Sequence, residues 1–195
     1  DTDFGPFAQW AGFNGIARLS VGNEVICQHQ APQMTFGRVK VSPPPRAFTQ
    51  ATSAGERALQ AAVERALAGA DRVVDLFSGA GTLGLPLADR ATLHCFENDA
   101  GLLEALAHGV RHTQGIKSVT TSTRDLFRNP VDHTDLKPFN AAIIDPPRAG
   151  AEQQVGQLAQ SDLRDIALVS CNPVSFARDA ALLSNGGYLL KWIEV

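Results

Sequence analysis

The chain has 195 residues, 44% hydrophobic and 19% charged, with a formal net charge of -3. This length buries a substantial single core, and the composition excludes a disordered chain. The absence of a long apolar run or a basic leader after Asp1 leads us to expect a cytoplasmic protein with no membrane partner. The acidic balance argues against a non-specific nucleic-acid binder, which needs clustered Lys and Arg, but leaves open an enzyme that acts on nucleic acid.

Residues 1 to about 47 are the least regular. Residues 15–21 and 24–28 read as short strands joined at Gly22-Asn23, a hairpin signal, and residues 36–41 as a third strand. Ser42-Pro43-Pro44-Pro45 holds the chain extended without ladder donors. The expected division is therefore a small β-rich appendage over 1–47 and a main domain over 48–195. Residues 53–67 have helical spacing, with Ala58, Leu59, Ala62, Val63 and Leu67 on one side. Strands are then expected at 73–77, 92–97, 119–122, 141–145, 166–169 and 188–195. Helices fall after the glycine loop and around 100–109, 151–160 and 175–183. This alternation predicts an α/β, Rossmann-like fold with a doubly wound, mostly parallel sheet.

Gly79-Ala80-Gly81-Thr82-Leu83-Gly84 matches G-x-G-x-x-G after a strand. Small residues there let backbone N–H groups approach a nucleotide-like ligand, and Glu97, ending the next strand, suits ribose hydroxyls. The pattern alone fits NAD or S-adenosylmethionine. Asp75 just before the loop favours the latter, since a carboxylate attracts a cationic amino-acid end and repels a pyrophosphate. The alternative is that the glycines only allow close packing and that Glu97 is a solvated loop acid.

Asp145-Pro146-Pro147-Arg148 ends an apolar run, where the prolines stop the ladder and hold Asp145 at the ligand-binding edge. Arg148 stands where an amino-methyltransferase would carry an aromatic platform for a flipped base. Ser170-Cys171-Asn172-Pro173 joins the 166–169 strand to a helix, so Cys171 meets a helix amino terminus, which favours a thiolate. An isolated cysteine is more often a buried structural thiol, and Cys27 and Cys95 are assigned that fate. Three scattered cysteines form no disulfide framework, and His94, His108, His112 and His133 have no shared ligand spacing, so no metal is expected.

With Phe48-Thr49-Gln50, Asp75-Leu76-Phe77-Ser78-Gly79-Ala80-Gly81 and Phe96-Glu97, these blocks resemble the catalytic domain of the RNA 5-methyluridine methyltransferases, from about residue 35 onward. The resemblance implies S-adenosylmethionine as cofactor and an RNA partner, a uridine in a ribosomal or transfer RNA loop. It implies that Cys171 is the nucleophile that adds to carbon 6 of uracil, and that Gln50, Phe77, Glu97 and Asp145 line the cofactor and uracil site. Asp125 would sit near the adenine, and Thr82 stands where the family frequently has Asn. The family's glutamate base is expected beyond Val195, Glu194 being too early, and its RNA-binding barrel is absent from this stretch. We therefore expect a fragment that binds the cofactor without efficient turnover. A nicotinamide-dependent oxidoreductase and a non-catalytic binding module remain as alternatives; the former gives no role to Cys171 or Asp145.

Overall fold

Apolar runs make the central strands. In the computed structural model, which describes residues 3–22 and 24–195, β5 (Arg72–Leu76) and β8 (Ala141–Ile144) are buried along nearly their whole length, as strands covered on both faces must be. With β6 (Thr92–Glu97), β7 (Val119–Thr123) and β9 (Asp165–Leu168) they form a parallel sheet ordered β7-β6-β5-β8-β9. Side chains alternate between two cores. Val73, Leu93 and Ile143 pack with Val63 of α2 (Ser53–Ala66) and with Leu103 and Leu106 of α3 (Ala100–Arg111). Val74, Leu76 and Ile144 pack with Val155 and Leu158 of α4 (Glu152–Leu158) and Leu183 of α5 (Pro173–Asn185). The doubly wound α/β fold is thus present. Its strand order reverses between β5 and β8, which opens a crevice beyond their carboxyl ends.

Local chemistry sets where the helices begin. Thr52 accepts the Gly55 N–H at 3.1 Å, and Asp99 accepts the Gly101 N–H at 2.8 Å, each occupying a donor that the helix leaves free.

The amino-terminal part differs from expectation in two ways. Residues 36–41 are not one strand: β3 (Met34–Phe36) and β4 (Val39–Val41) form a hairpin that reverses at Gly37, whose φ of 57° lies in the left-handed region. Phe36, Val39 and Val41 are buried against Leu85 and Leu106, so this hairpin shares the core of the main domain. Residues 5–13 form α1 (Gly5–Phe13), which the sequence reading passed over; Pro6 in its first turn was the available signal. α1 packs against the expected hairpin of β1 (Arg18–Val21) and β2 (Glu24–Gln28). Asn23, expected in the turn between them, lies outside the described residues.

Two further expectations are corrected. The helix after the glycine loop is only a 3-10 stretch, Leu85–Asp89. Left-handed φ at Gly79 and Gly81 keeps those residues out of a right-handed helix, and β6 already begins at Thr92. Residues 188–195 form no strand. Beyond the Tyr188 N–H, which donates to the Leu183 carbonyl at 3.1 Å, side chains hold the segment, with the Tyr188 hydroxyl donating to the Ser161 carbonyl at 3.1 Å and Lys191 Nζ donating to Asp165 Oδ1 at 2.7 Å. A groove of about 1220 Å3 separates this segment, α2 and α5 from one another along β9. Among the described residues no helix is long and apolar enough to cross a membrane.

Candidate active site

β5 delivers Asp75 to the underside of the glycine loop. Its side chain is enclosed, at 1% exposure, and Oδ2 has no hydrogen-bond partner. A Cβ at Gly84 would collide with this carboxylate, so only glycine lets the loop close over it. Burial, followed by the negative charges of Asp145 and Glu97, pushes Asp75 up to about 8, partly opposed by the Gly84 N–H. Phe77, the next residue but one, has a φ of 61°, a strained conformation for a residue with a side chain. Its ring lies 5.3 Å from that of Phe127.

Glu97 at the end of β6 is a tether for the loop. Oε2 accepts the Gly79 N–H at 3.0 Å, while Oε1 accepts those of Asn98 at 2.8 Å and Asp99 at 3.0 Å. Asp125, just past β7, accepts the N–H groups of Phe127 and Arg128 through Oδ1, which makes it the pivot of a tight turn. The Thr82 carbonyl accepts from Gln60 Nε2 of α2 at 3.0 Å.

Asp145 follows β8, and burial pushes its carboxyl up to about 6. Ile144 pairs with Leu168 of β9, and the Val169 N–H donates to the Ile144 carbonyl at 2.9 Å. Cys171, two residues past Val169, therefore lies at the end of the strand neighbouring Asp145. Its thiol is exposed, whereas Cys95 is buried in the core with its thiol pushed up by burial. Asn172 caps α5, its Oδ1 accepting the Val174 N–H at 3.1 Å, with Pro173 opening the helix. Gln50 and Cys171 line the same groove beside β9. Glu194, which lines this groove too, pairs with Arg65 in the last turn of α2.

Three carboxylates thus converge around the glycine loop, which supplies what a sulfonium ligand with a free ammonium requires. A pyrophosphate would meet the negative charges of Asp145 and Glu97, which add to burial in keeping Asp75 protonated. Among the described residues no cluster of three or more His, Cys, Asp or Glu is arranged to hold a metal.

No family model matches the chain. It is 47% identical over 176 residues to an uncharacterised RNA methyltransferase of Brucella suis, a match spanning 90% of this chain and 42% of that relative. It is 37% identical over 124 residues to the 23S rRNA (uracil(1939)-C(5))-methyltransferase of Chromohalobacter salexigens, covering 63% of this chain and 25% of that one. In fold it matches the crystal structure of the Pyrococcus abyssi tRNA (uracil-54, C5)-methyltransferase in complex with S-adenosyl-L-homocysteine. The TM-score is 0.66 and the identity 27%, over 78% of this chain and 37% of that one. Over most of its length the chain is similar to proteins named RNA methyltransferases. It spans less than half the length of these relatives.

These similarities and the fold class agree with the resemblance carried by the sequence blocks. Of the residues named from sequence, Asp75, Phe77, Gly79, Gly81, Glu97, Asp125 and Asp145 gather at the carboxyl edge of the sheet, with Gln50 and Cys171 on its β9 side. The RNA methyltransferase fold adds Phe127, 44% exposed against Phe77, which sequence reasoning passed over. Its only signal was the Asp125-Leu126-Phe127 spacing of a side-chain-capped turn.

Proposed function

We propose that this chain is the S-adenosylmethionine-binding, catalytic part of an enzyme that methylates carbon 5 of a uridine in ribosomal or transfer RNA. The observation that carries the reading is the juxtaposition of an exposed Cys171 at the end of β9 with a half-buried Asp145 at the end of β8, beside a loop ringed by carboxylates. The unit from about residue 48, together with the β3–β4 hairpin, forms the cofactor domain.

In this reading Glu97 and the backbone of residues 79–81 hold the ribose and amino-acid portions of the cofactor. Phe77 and Phe127 flank its flat ring near Asp125, and Gln50 and Asp145 hold uracil. Bound S-adenosylmethionine supplies an electrophilic methyl group on a sulfonium. Carbon 5 of uracil is a poor nucleophile. Addition of the Cys171 thiolate to carbon 6 moves the ring's electron pair toward the carbon 4 oxygen and makes carbon 5 nucleophilic. Asp145, protonated below about 6, orients the ring by hydrogen bonding, and a base removes the carbon 5 proton so that the thiolate leaves. Glu194 is engaged by Arg65 and is not assigned as that base. A looped, splayed-out base is the expected form of the target.

The test is trapping. Fluorine at carbon 5 is not lost as a proton, so wild-type protein with S-adenosylmethionine and a 5-fluorouridine RNA is expected to give an adduct stable to denaturation, and Cys171→Ala none. Calorimetric titration with S-adenosylmethionine and with NAD separates the cofactors. Binding of NAD alone, or an adduct undiminished in Cys171→Ala, contradicts the proposal.

A further inference from the structure

The loop that follows Asp145 is held by one face of α5, the helix that begins just after Cys171. Asn172 Nδ2 donates to the Arg148 carbonyl at 3.0 Å, and the Ser175 hydroxyl lies 3.2 Å from the same oxygen. One turn on, Arg178 Nη2 donates to the Ala149 carbonyl at 3.2 Å. Asp179 Oδ2 accepts the Ala151 N–H at 3.0 Å, the residue that opens α4 and whose own side chain offers no cap. Asp179 is buried to 1% exposure yet fully engaged. Its Oδ1 accepts from Arg178 Nε at 2.9 Å and Nη2 at 2.7 Å, which neutralises the buried charge. Arg178 also faces Glu152 at 3.7 Å.

The fit is close enough to dictate a residue in the loop. Gly150 has a φ of 77°, and a Cβ there would lie 2.6 Å from Asp179 Oδ2 and 2.9 Å from Ser175 Cβ. Asn172, Ser175 and Asp179 recur at the three- and four-residue spacing of one helical face. Four successive contacts therefore lock the loop carrying Asp145 to the element carrying Cys171.

We infer that Asp179, held by Arg178, is a positioning residue that sets the placement of Asp145 relative to Cys171. The inference rests on the covalent uracil reading for its consequence, because a misplacement of order 1 Å between reacting groups lowers rates on the order of 100-fold. A loose loop would leave both groups present and out of register.

The experiment compares wild type, Asp179→Asn and Arg178→Lys. Asp179→Asn keeps the volume and one acceptor but not the charge; Arg178→Lys keeps the charge but not the planar fork. Two readouts are taken: the rate of adduct formation on 5-fluorouridine RNA over a range of RNA and cofactor concentrations, and amide hydrogen exchange of the free protein. Asp179→Asn is expected to lower the saturating rate at least tenfold with half-saturating concentrations within twofold of wild type. Arg178→Lys is expected to lower it less. Exchange should accelerate at least tenfold at residues 149–152 and stay unchanged in β5 and β6. An unchanged saturating rate overturns the inference, as does unchanged exchange at 149–152 or acceleration spread evenly over the sheet. If wild type binds S-adenosylmethionine but traps no RNA, the covalent reading fails while exchange at 149–152 still decides whether the clamp exists.

Discussion

The two halves of the sheet's carboxyl edge are built on opposite principles. On the β5–β6 side, Asp75 is enclosed with Oδ2 unpartnered and the carboxylates of Asp145 and Glu97 nearby, so the free protein holds there a carboxyl that ionises only as pH rises through about 8. On the β8–β9 side, the Asp145 carboxyl aside, the buried polar groups invoked are matched. Asp179 is engaged at both oxygens, and Gln154, wholly buried, accepts the Val131 N–H at 2.7 Å and donates to the Val131 carbonyl at 3.1 Å. An unmatched carboxyl gains a partner when a cation arrives and it ionises, whereas a saturated network holds its geometry without any ligand. Under the proposed function, the difference separates a binding half from a positioning half.

The largest expected effect comes from removing the unmatched carboxyl. Folding raises Asp75 from 3.8 to about 8, so its contribution to stability is fully present below about pH 4 and is lost as pH rises through about 8. Across that window the free protein should lose up to ~1.4 kcal/mol of stability per pH unit from this group. Asp75→Asn, which cannot ionise, is expected to flatten the profile in thermal melts between pH 5 and 9. Cofactor affinity should run the other way, tightening from pH 6 to 8 as Asp145 and Asp75 ionise toward a cationic ligand, with proton release measurable by calorimetry in two buffers. A melting profile equally steep in Asp75→Asn would erase the contrast between the halves.

A smaller effect is expected from spoiling the matched half. Gln154→Leu leaves the buried N–H and carbonyl of Val131 without partners and should cost about 3 kcal/mol in denaturant unfolding, since each orphaned group costs ~1–3 kcal/mol. A loss under about 0.5 kcal/mol would mean that the network is not what holds this half. The smallest effect belongs to neither half. Arg65 pairs with Glu194 and lies over the Trp192 ring at 4.3 Å, but it is more than half exposed. Arg65→Ala should cost below about 1 kcal/mol and leave cofactor binding unchanged.

Much of the binding half was legible in the sequence, because its signals are local. An apolar run, a glycine loop and an acid at the next strand's end follow one another in the chain, and the positive φ values of Gly79 and Gly81 are conformations that glycine adopts at little steric cost. The positioning half was legible only at its conspicuous residues, Asp145 and Cys171. Asp179 lies 28 residues from the Ala151 N–H it accepts, and nothing in the pattern of α5 distinguishes it from a solvated helix acid. The misread elements have similar causes. The sequence 188–195 has strand propensity, but a strand exists only where a ladder partner is in place, and here side-chain contacts to α2 and β9 hold the segment instead. In the same way, Phe36-Gly37-Arg38-Val39 reads as extended until the turn at Gly37 lets both arms reach the core beside α3.

By itself, then, the sequence determined the fold class, the likeness to RNA methyltransferases and the residues proposed as reactive, because periodicity, glycine placement and short motifs are properties of neighbouring positions. Only the tertiary structure decided the charge state of Asp75, through burial and carboxylates on two other strands, and the coupling of Asp145 to Cys171, through a helix face that packs across the chain. Electrostatic fields and long-range contacts depend on distances in space, and those exist only once the sheet has formed.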